Sequence, residues 1–211
     1  MYTKEIGICI IGLGSRGLTV LERILGYAVE YKSVTVNIYT VDPLEPGVGV
    51  HFTDQPDYLL LNSVCDQLTI FPDESMIQEQ PFMSGPNLYE WVHQEGYMIA
   101  EDGYTLNKNT GREVCKNDFL PRRILGEYLH WAYKMFVTNM PNNVVYQHYK
   151  CEALDICKVD DTRERVELTN GEIIIVDGVY LTTGHTENKH NESPSWLIIK
   201  NEPTPINEIV F

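Results

Sequence analysis

Three glycines spaced Gly12-x-Gly14-x-x-Gly17 point to a defined chemistry, the holding of a dinucleotide by its pyrophosphate. The first glycine permits a tight turn, the second lets the main chain approach the phosphates, and the third lets a helix pack closely on a strand. A helix opening at this point offers unpaired N–H groups and the positive end of its dipole to an anion. Ser15 and Arg16 lie within the same turn. A glycine-rich turn without a ligand is the alternative reading. Such a turn works only if a strand precedes it and a helix follows. Ile6-Gly-Ile-Cys-Ile-Ile11 is a short apolar run, and apolar residues at 18, 20, 21, 24 and 25 mark a helix face.

A second strand is expected at Val34-Thr-Val-Asn-Ile-Tyr-Thr-Val41, which is rich in β-branched residues and runs into Asp42-Pro43. A carboxylate at the tip of a second strand is placed to accept a ribose hydroxyl. It would also repel a 2′-phosphate, which disfavours NADP at this site. Asp42 follows Gly17 by 25 residues, a long interval that a longer helix or loop explains. An ordinary Asp-Pro turn is the plainer account. Pro43-Leu-Glu-Pro46-Gly47-Val-Gly49 then reads as a turn-rich loop, whose glycines would let the main chain lie against a ligand.

Bulk properties narrow the partners. With 211 residues the chain can bury one domain, or a core plus a small insertion. A formal charge of −14 argues against nucleic acid, whose binding relies on Lys and Arg neutralising phosphates. Any phosphate site must therefore be made locally, from backbone N–H groups and Arg16. The five cysteines are odd in number and form no C-x-x-C pair, so they read as free thiols in a reducing compartment. Cys65 lacks a nearby partner for disulfide chemistry; Cys115, 50 residues on, is the first. The six histidines show no metal-ligand spacing, and no metal is expected. No apolar run has the length of a membrane span and the start lacks a signal-peptide layout, so a cytoplasmic protein is expected.

Residues 55–73 mix an apolar patch, Leu59-Leu-Leu-Asn62, with Gln67 and Thr69, as core and loop or as the wall of a cavity for a flat ring. The stretch at about 74–116 reads as turns with one helix, after Ser84-Gly-Pro-Asn87, and an inserted lobe is expected there. A longer helix should follow, with Asn117 or Asp118 as its cap, Pro121 early, and an end before Pro141. Arg122 and Arg123 in its first turn oppose the dipole preference for acids. Either a specific anion or carboxylate offsets that cost, or the pair is simply solvated. The last third reads as strands at 144–149, 152–159, 165–168, 172–176 and 177–185, with Asn170-Gly171 as a two-residue hairpin signal. A meander ending in Thr182-Thr-Gly-His185 departs from the alternating strands and helices of a simple NAD domain. It fits a flavin-binding variant whose meander crosses the sheet before a last strand returns beside the first.

On these residues the chain resembles the FAD/NAD(P)-binding proteins of the glutathione-reductase-like superfamily. More narrowly, it is similar to the FAD domain of flavin-dependent N-hydroxylating monooxygenases. The resemblance is carried by Gly12-Leu-Gly-Ser-Arg-Gly-Leu18, Leu21-Glu-Arg23, Val41-Asp-Pro43, Pro46-Gly-Val-Gly49 and Leu59-Leu-Leu-Asn62. It continues through Gly85-Pro-Asn-Leu-Tyr-Glu-Trp91, the stretch from Arg122 to Leu129, and Thr182-Thr-Gly-His185. It implies an α/β, Rossmann-like FAD-binding domain with a parallel sheet and a β-meander crossover, filling residues 1–211 as one domain. It also implies that Gly12, Gly14, Ser15, Arg16 and Gly17 hold the FAD pyrophosphate and that Asp42, followed by Pro43, takes the adenosine ribose. By the same resemblance Gly49 would lie against the cofactor, Asn62 and Gln67 would lie toward the flavin ring, and Thr183-Gly184 would close the site.

Relatives of this kind usually carry a second glycine fingerprint for NAD(P)H, and no second one follows here. The expected protein is thus the cofactor half or subunit of a monooxygenase-like oxidoreductase, reduced by NAD(P)H through a partner chain. Two alternatives stand beside it, an NAD-dependent dehydrogenase and a non-catalytic dinucleotide-binding scaffold or sensor. No acid, base or nucleophile stands out. His51, His93 and His185 are candidates only by their nearness to motif segments.

Overall fold

In the computed structural model, which describes residues 4–72 and 83–184, the apolar run before the glycines is strand β1 (Lys4–Ile11). Helix α1 (Ser15–Glu30) and strand β2 (Val34–Val41) follow. β1 and β2 pair in parallel from Lys4↔Val34 to Ile11↔Val41, which requires a crossover, here α1. Leu18, Leu21, Leu25 and Ala28 recur at helical spacing on the buried side of α1. Glu22 is buried among them. Its carboxylate pairs with Arg23 at 2.7 Å and accepts the Met83 N–H at 2.6 Å, so the charge is neutralised where it sits.

A short 3₁₀ turn (Cys65–Gln67) leads to helix α2 (Leu88–Gln94) and three very short strands, β3 (Met98–Ile99), β4 (Leu106–Asn107) and β5 (Arg112–Glu113). Then come helix α3 (Arg122–Thr138), β6 (Val144–Tyr149), β7 (Ala153–Lys158), β8 (Glu164–Leu168), β9 (Ile173–Val176) and β10 (Gly178–Leu181). The main sheet has the order β10-β1-β2-β6 with every pair parallel. β7, β8 and β9 form a separate antiparallel meander, and β10 returns beside β1 as the sequence predicts.

Strand alternation divides the core into two layers. Ile10 and Ile38 point to the side of α1 and α3, within a cluster that includes Leu18, Leu25, Ile124 and Phe136. Cys9, Ile11 and Val41 point the other way, onto Val166, Leu168, Ile174 and Val176 of the meander. A parallel sheet needs cover on both faces; helices supply one layer and the meander the other. Leu88, Trp91, Ile99, Leu106 and Val114 join the helix-side cluster, so the stretch from Met83 onward packs into the same core.

Local signals hold at some element ends and yield at others. α2 starts on the expected Asn87, whose side chain accepts the Glu90 N–H at 2.9 Å while Glu90 accepts the Asn87 N–H at 3.0 Å, a capping box. α3 corrects the expectation. Its cap is Pro121, without a side-chain hydrogen bond, because Asp118 is taken by Arg112 at 2.7 and 2.8 Å and by the Cys115 N–H. The hairpin at Asn170-Gly171 is present but is not a bare two-residue loop. The Gly171 N–H bonds to the Leu168 carbonyl at 3.0 Å and Gly171 takes a φ of 86°, a turn closed by a left-handed glycine. Of the two arginines opening α3, Arg123 has its carboxylates: it pairs with Asp57 and, at 2.8 Å, with Glu127, and donates to the Leu106 carbonyl. Arg122 is exposed. His185 and the apolar end Ile209-Val-Phe211 lie outside the described residues.

Candidate dinucleotide site

At the carboxyl ends of β1, β2 and β10 the turn after β1, the loop after β2 and the start of β7 surround a cleft of about 650 Å³. Its size is that of a small-molecule site, and open α/β sheets bind ligands at this end. Gly12, Gly14, Ser15, Arg16, Asp42, Pro43, Gly49, Thr183 and Gly184 lie in its wall. Gly17, Asn62 and Gln67 do not; the last two are exposed elsewhere.

Each glycine of the turn has its own steric reason. Gly12 has a φ of 89°, and a Cβ there would stand 2.6 Å from the Thr182 carbonyl oxygen. That close approach is bonded: the Thr182 hydroxyl donates to the Gly12 carbonyl at 2.6 Å, and its N–H donates to the Ile11 carbonyl at 2.8 Å. A Cβ on Gly17 would overlap the Gly12 carbonyl oxygen, so the third glycine sets the helix-to-strand distance, as its spacing predicts. Gly14 faces Gly49. A Cβ on either would come within 3.3 Å of the other's Cα, so two bare main chains meet over the start of α1.

That helix start is open to an anion. Gly14 is its cap, no side chain bonds the first-turn N–H groups and no acid lies in the first turn. Four N–H groups at a helix start lack internal partners, and an anion is the partner that suits them. The exposed Arg16 side chain makes no ion pair among the described residues, which leaves its charge available. These features fit a pyrophosphate, although the whole chain is strongly acidic.

Asp42 is 7% exposed. Its Oδ2 accepts the Leu13 N–H at 2.6 Å and its Oδ1 the Leu44 N–H at 2.8 Å. The carboxylate therefore ties the glycine turn to the tip of β2, and each oxygen keeps a further lone pair for a hydroxyl. Asp42→Ala strands the buried Leu13 N–H, and a loss of about 1–3 kcal/mol is expected. Urea denaturation would read this as a lower midpoint at unchanged slope.

Helix α3 braces the other wall. The Gly47 N–H donates to the Leu13 carbonyl at 2.7 Å, and Gly47, at a φ of 91°, has no room for a Cβ beside the Leu129 carbonyl. His130 Nδ1 meets the Pro46 carbonyl at 2.8 Å. A Cβ on Gly126 would overlap the His51 carbonyl oxygen. Position 126 carried no expectation from the sequence, since a glycine within a helix gives no local sign of what packs on it.

Two histidines near the cleft are held toward their neutral form. Burial lowers the pKa of His51, assisted by the positive charge of Arg122. Burial also lowers that of His148, against the opposing pull of Asp42 and Glu45; its Nδ1 lies 3.0 Å from the Thr40 hydroxyl. The unfolded chain takes up protons below an ordinary histidine value of 6.5, while the folded chain resists until lower pH. Stability is thus complete above that value and is lost as pH falls toward the depressed folded values. A melting temperature that declines from pH 7.5 to 5.5, with a shallower decline in His148→Asn, is the expected record. Cys65 fits its non-redox reading: it donates to the Cys115 carbonyl at 3.2 Å, and burial, with the charge of Asp118, pushes its thiol up to about 11. His93 is structural too, with Nε2 2.8 Å from the Val114 carbonyl. Sequence reasoning missed Thr182 as a clamp, and also Cys151, Glu152 and Ala153, which the β6–β7 junction brings into the wall. No local motif marks that junction.

A parallel sheet with a glycine turn feeding a helix start, and a meander on the opposite face, defines a Rossmann-type dinucleotide-binding domain. A family model described as FAD-NAD(P)-binding matches residues 9–186, and the chain belongs to that family. It is 31% identical over 199 residues to an L-aspartate N-monooxygenase (nitrosuccinate-forming) of Streptomyces davaonensis, covering 88% of this chain and 30% of the relative. It is 29% identical over 187 residues to the nitrosuccinic acid synthase npaA of Aspergillus oryzae, covering 87% and 26%. Among solved structures, an open crystal structure of cyclohexanone monooxygenase matches with a TM-score of 0.49 at 14% identity, over 86% of this chain and 27% of that one. The chain spans less than a third of the length of the curated relatives it matches. No described helix is long and apolar enough to cross a membrane, and no described cluster of His, Cys, Asp and Glu would hold a metal.

Proposed function

We propose that this chain is the FAD-binding part of a monooxygenase-like flavoenzyme. The observation that carries the proposal is the phosphate cradle, in which Gly14 faces Gly49 over the uncapped start of α1. Gly12, Gly14, Ser15, Arg16 and Gly17 hold the pyrophosphate, and Asp42 accepts the adenosine ribose through its remaining lone pairs. Pro43, Gly49, Thr183 and Gly184 close round the cofactor. Asn62 and Gln67 are assigned to the flavin end on the resemblance and not on the cleft. Bound FAD supplies the redox and oxygen chemistry, while the chain binds and orients it. NAD(P)H serves as the reductant, reaching the flavin through a further domain or a second subunit. The setting is cytoplasmic, in keeping with free thiols throughout the described residues. L-aspartate, named in two relatives, is the first substrate to try.

Titration with FAD, FMN and NAD tests the cofactor. FAD is expected to bind at least about tenfold more tightly than FMN, which lacks the adenosine half and so forfeits 1.4 kcal/mol or more. Preference for NAD over FAD would instead support a dehydrogenase.

A further inference from the structure

The peptide between Gly12 and Leu13, inside the glycine turn, is held from both sides. Its carbonyl accepts the Thr182 hydroxyl at 2.6 Å, and its N–H, that of Leu13, donates to Asp42 Oδ2 at 2.6 Å. The carbonyl and N–H of a trans peptide point in opposite directions, so Thr182 and Asp42 act on its two edges. The adjoining groups are bonded as well. The Gly12 N–H donates to the Val41 carbonyl at 2.8 Å, and the Leu13 carbonyl accepts the Gly47 N–H at 2.7 Å. Those two bonds are main chain to main chain. The bond from position 182 to Gly12 depends on the residue type, because it needs a hydroxyl.

Gly12 makes such a hold necessary. Its φ of 89° lies in the region open to glycine, and a glycine sets little limit on which way its peptide faces. Turned over, this peptide would set a carbonyl against the Asp42 carboxylate, where an N–H now lies. The carboxylate would be driven from its place at the tip of β2, and Gly14, two residues on at the start of α1, would shift with the turn. Space for the hold is kept by Gly17, where a Cβ would stand 3.2 Å from Thr182 Oγ1 and overlap the Gly12 carbonyl oxygen. Thr182 itself is half-buried and lies in the cleft wall beside Thr183 and Gly184.

We propose that Thr182 is a positioning residue for the dinucleotide. Its hydroxyl fixes the peptide between Gly12 and Leu13, and through it keeps the Asp42 carboxylate and the α1 N-terminus set for ribose and pyrophosphate. This role rests on the reading of the cleft as an FAD site, and adds to the glycine spacing a need for a hydroxyl at the end of β10.

The test compares the parent with Thr182→Val, which keeps the side-chain shape without the donor, and Thr182→Ser, which keeps the donor. FAD and ADP are titrated at a temperature where far-UV circular dichroism shows the parent folded. Thr182→Val is expected to bind both ligands about three- to tenfold more weakly, or about 0.6–1.4 kcal/mol, within the net worth of one hydrogen bond. ADP shares the ribose and pyrophosphate with FAD, so the two losses should be equal. Thr182→Ser should recover most of the loss. The cofactor-free Thr182→Val protein should melt within about 4 °C of the parent, the shift expected of one such bond at this chain length. Unchanged affinity in Thr182→Val, even with a lowered melting temperature, would leave the hydroxyl a structural bond only and overturn the role. An equal loss in Thr182→Ser would do the same, by placing the effect outside the hydroxyl. So would a loss for FAD with ADP unaffected, which belongs to the flavin end. A Thr182→Val protein that does not fold would overturn the role too, since the hydroxyl would then hold the domain and not the turn. A parent that binds neither FAD nor ADP would overturn the site reading itself.

Discussion

Gly14→Val should leave the chain folded and lower its FAD affinity by about a hundredfold or more. Gly14 has a φ of −76°, which any L-residue adopts, so the backbone tolerates the change. The obstruction is steric and local. The new Cβ meets Gly49 at 3.3 Å, and the valine methyl groups then force the loop away from the start of α1. Hydrogen bonds to charged groups are worth about 1.5–3 kcal/mol each, and losing two of the first-turn contacts to phosphate accounts for the hundredfold effect. Gly14→Ala should lie between parent and valine variant. A melting temperature within about 2–4 °C of the parent, the shift that 1 kcal/mol causes at this size, would separate lost binding from lost folding. FAD affinity retained in Gly14→Val would mean that the phosphates lie elsewhere.

Gly126→Ala should behave against the usual rule. Within a helix, glycine costs roughly 0.5–1 kcal/mol relative to alanine, so this substitution would ordinarily stabilise α3. Here the added Cβ overlaps the His51 carbonyl oxygen and touches the His51 Cβ at 3.4 Å. Both sides are backbone held in regular contacts, and overpacking of this kind costs about 1–3 kcal/mol or more. Relief comes only by moving the 48–52 loop, which carries Gly49 and His51, so FAD affinity should fall together with stability. Thermal melting with an FAD titration checks both effects. A rise in melting temperature would show that α3 does not press on this loop as described.

The two predictions differ in how far the sequence foretells them. Gly14 belongs to a spacing that can be read directly, because the strand, turn and helix that give it meaning are contiguous from residue 4 to residue 30. β2 is legible for the same reason, as is the start of α2 after Ser84-Gly-Pro-Asn87. The return of β10 beside β1, which pairs Ile8 with Gly178, has no local signal and is foreseen only through the fit to a flavin-binding variant. Gly126 carries no such signal: its requirement arises from a loop 75 residues earlier in the chain. Arg123 is similar, since its carboxylate partner Asp57 lies 66 residues away. From the sequence its position in the first turn of α3 leaves two readings open, an offsetting anion or carboxylate and a solvated surface pair. The misplaced α3 cap has a local cause, because Asp118 was a good cap by type but was already committed to Arg112 and Cys115. β3, β4 and β5 are two residues each, too short to show the alternation by which strands are recognised. In the site, the glycine turn and Asp42 could be named in advance. The Thr182 clamp and the wall from Cys151 to Ala153 depend on where the meander begins and ends, which is a property of the fold.

The most direct test of the central claim is the visible absorption spectrum of the freshly purified protein, followed by release and identification of its cofactor. A yellow protein that releases FAD, close to one per chain, is the expected result. A colourless protein that also fails to take up added FAD would contradict it.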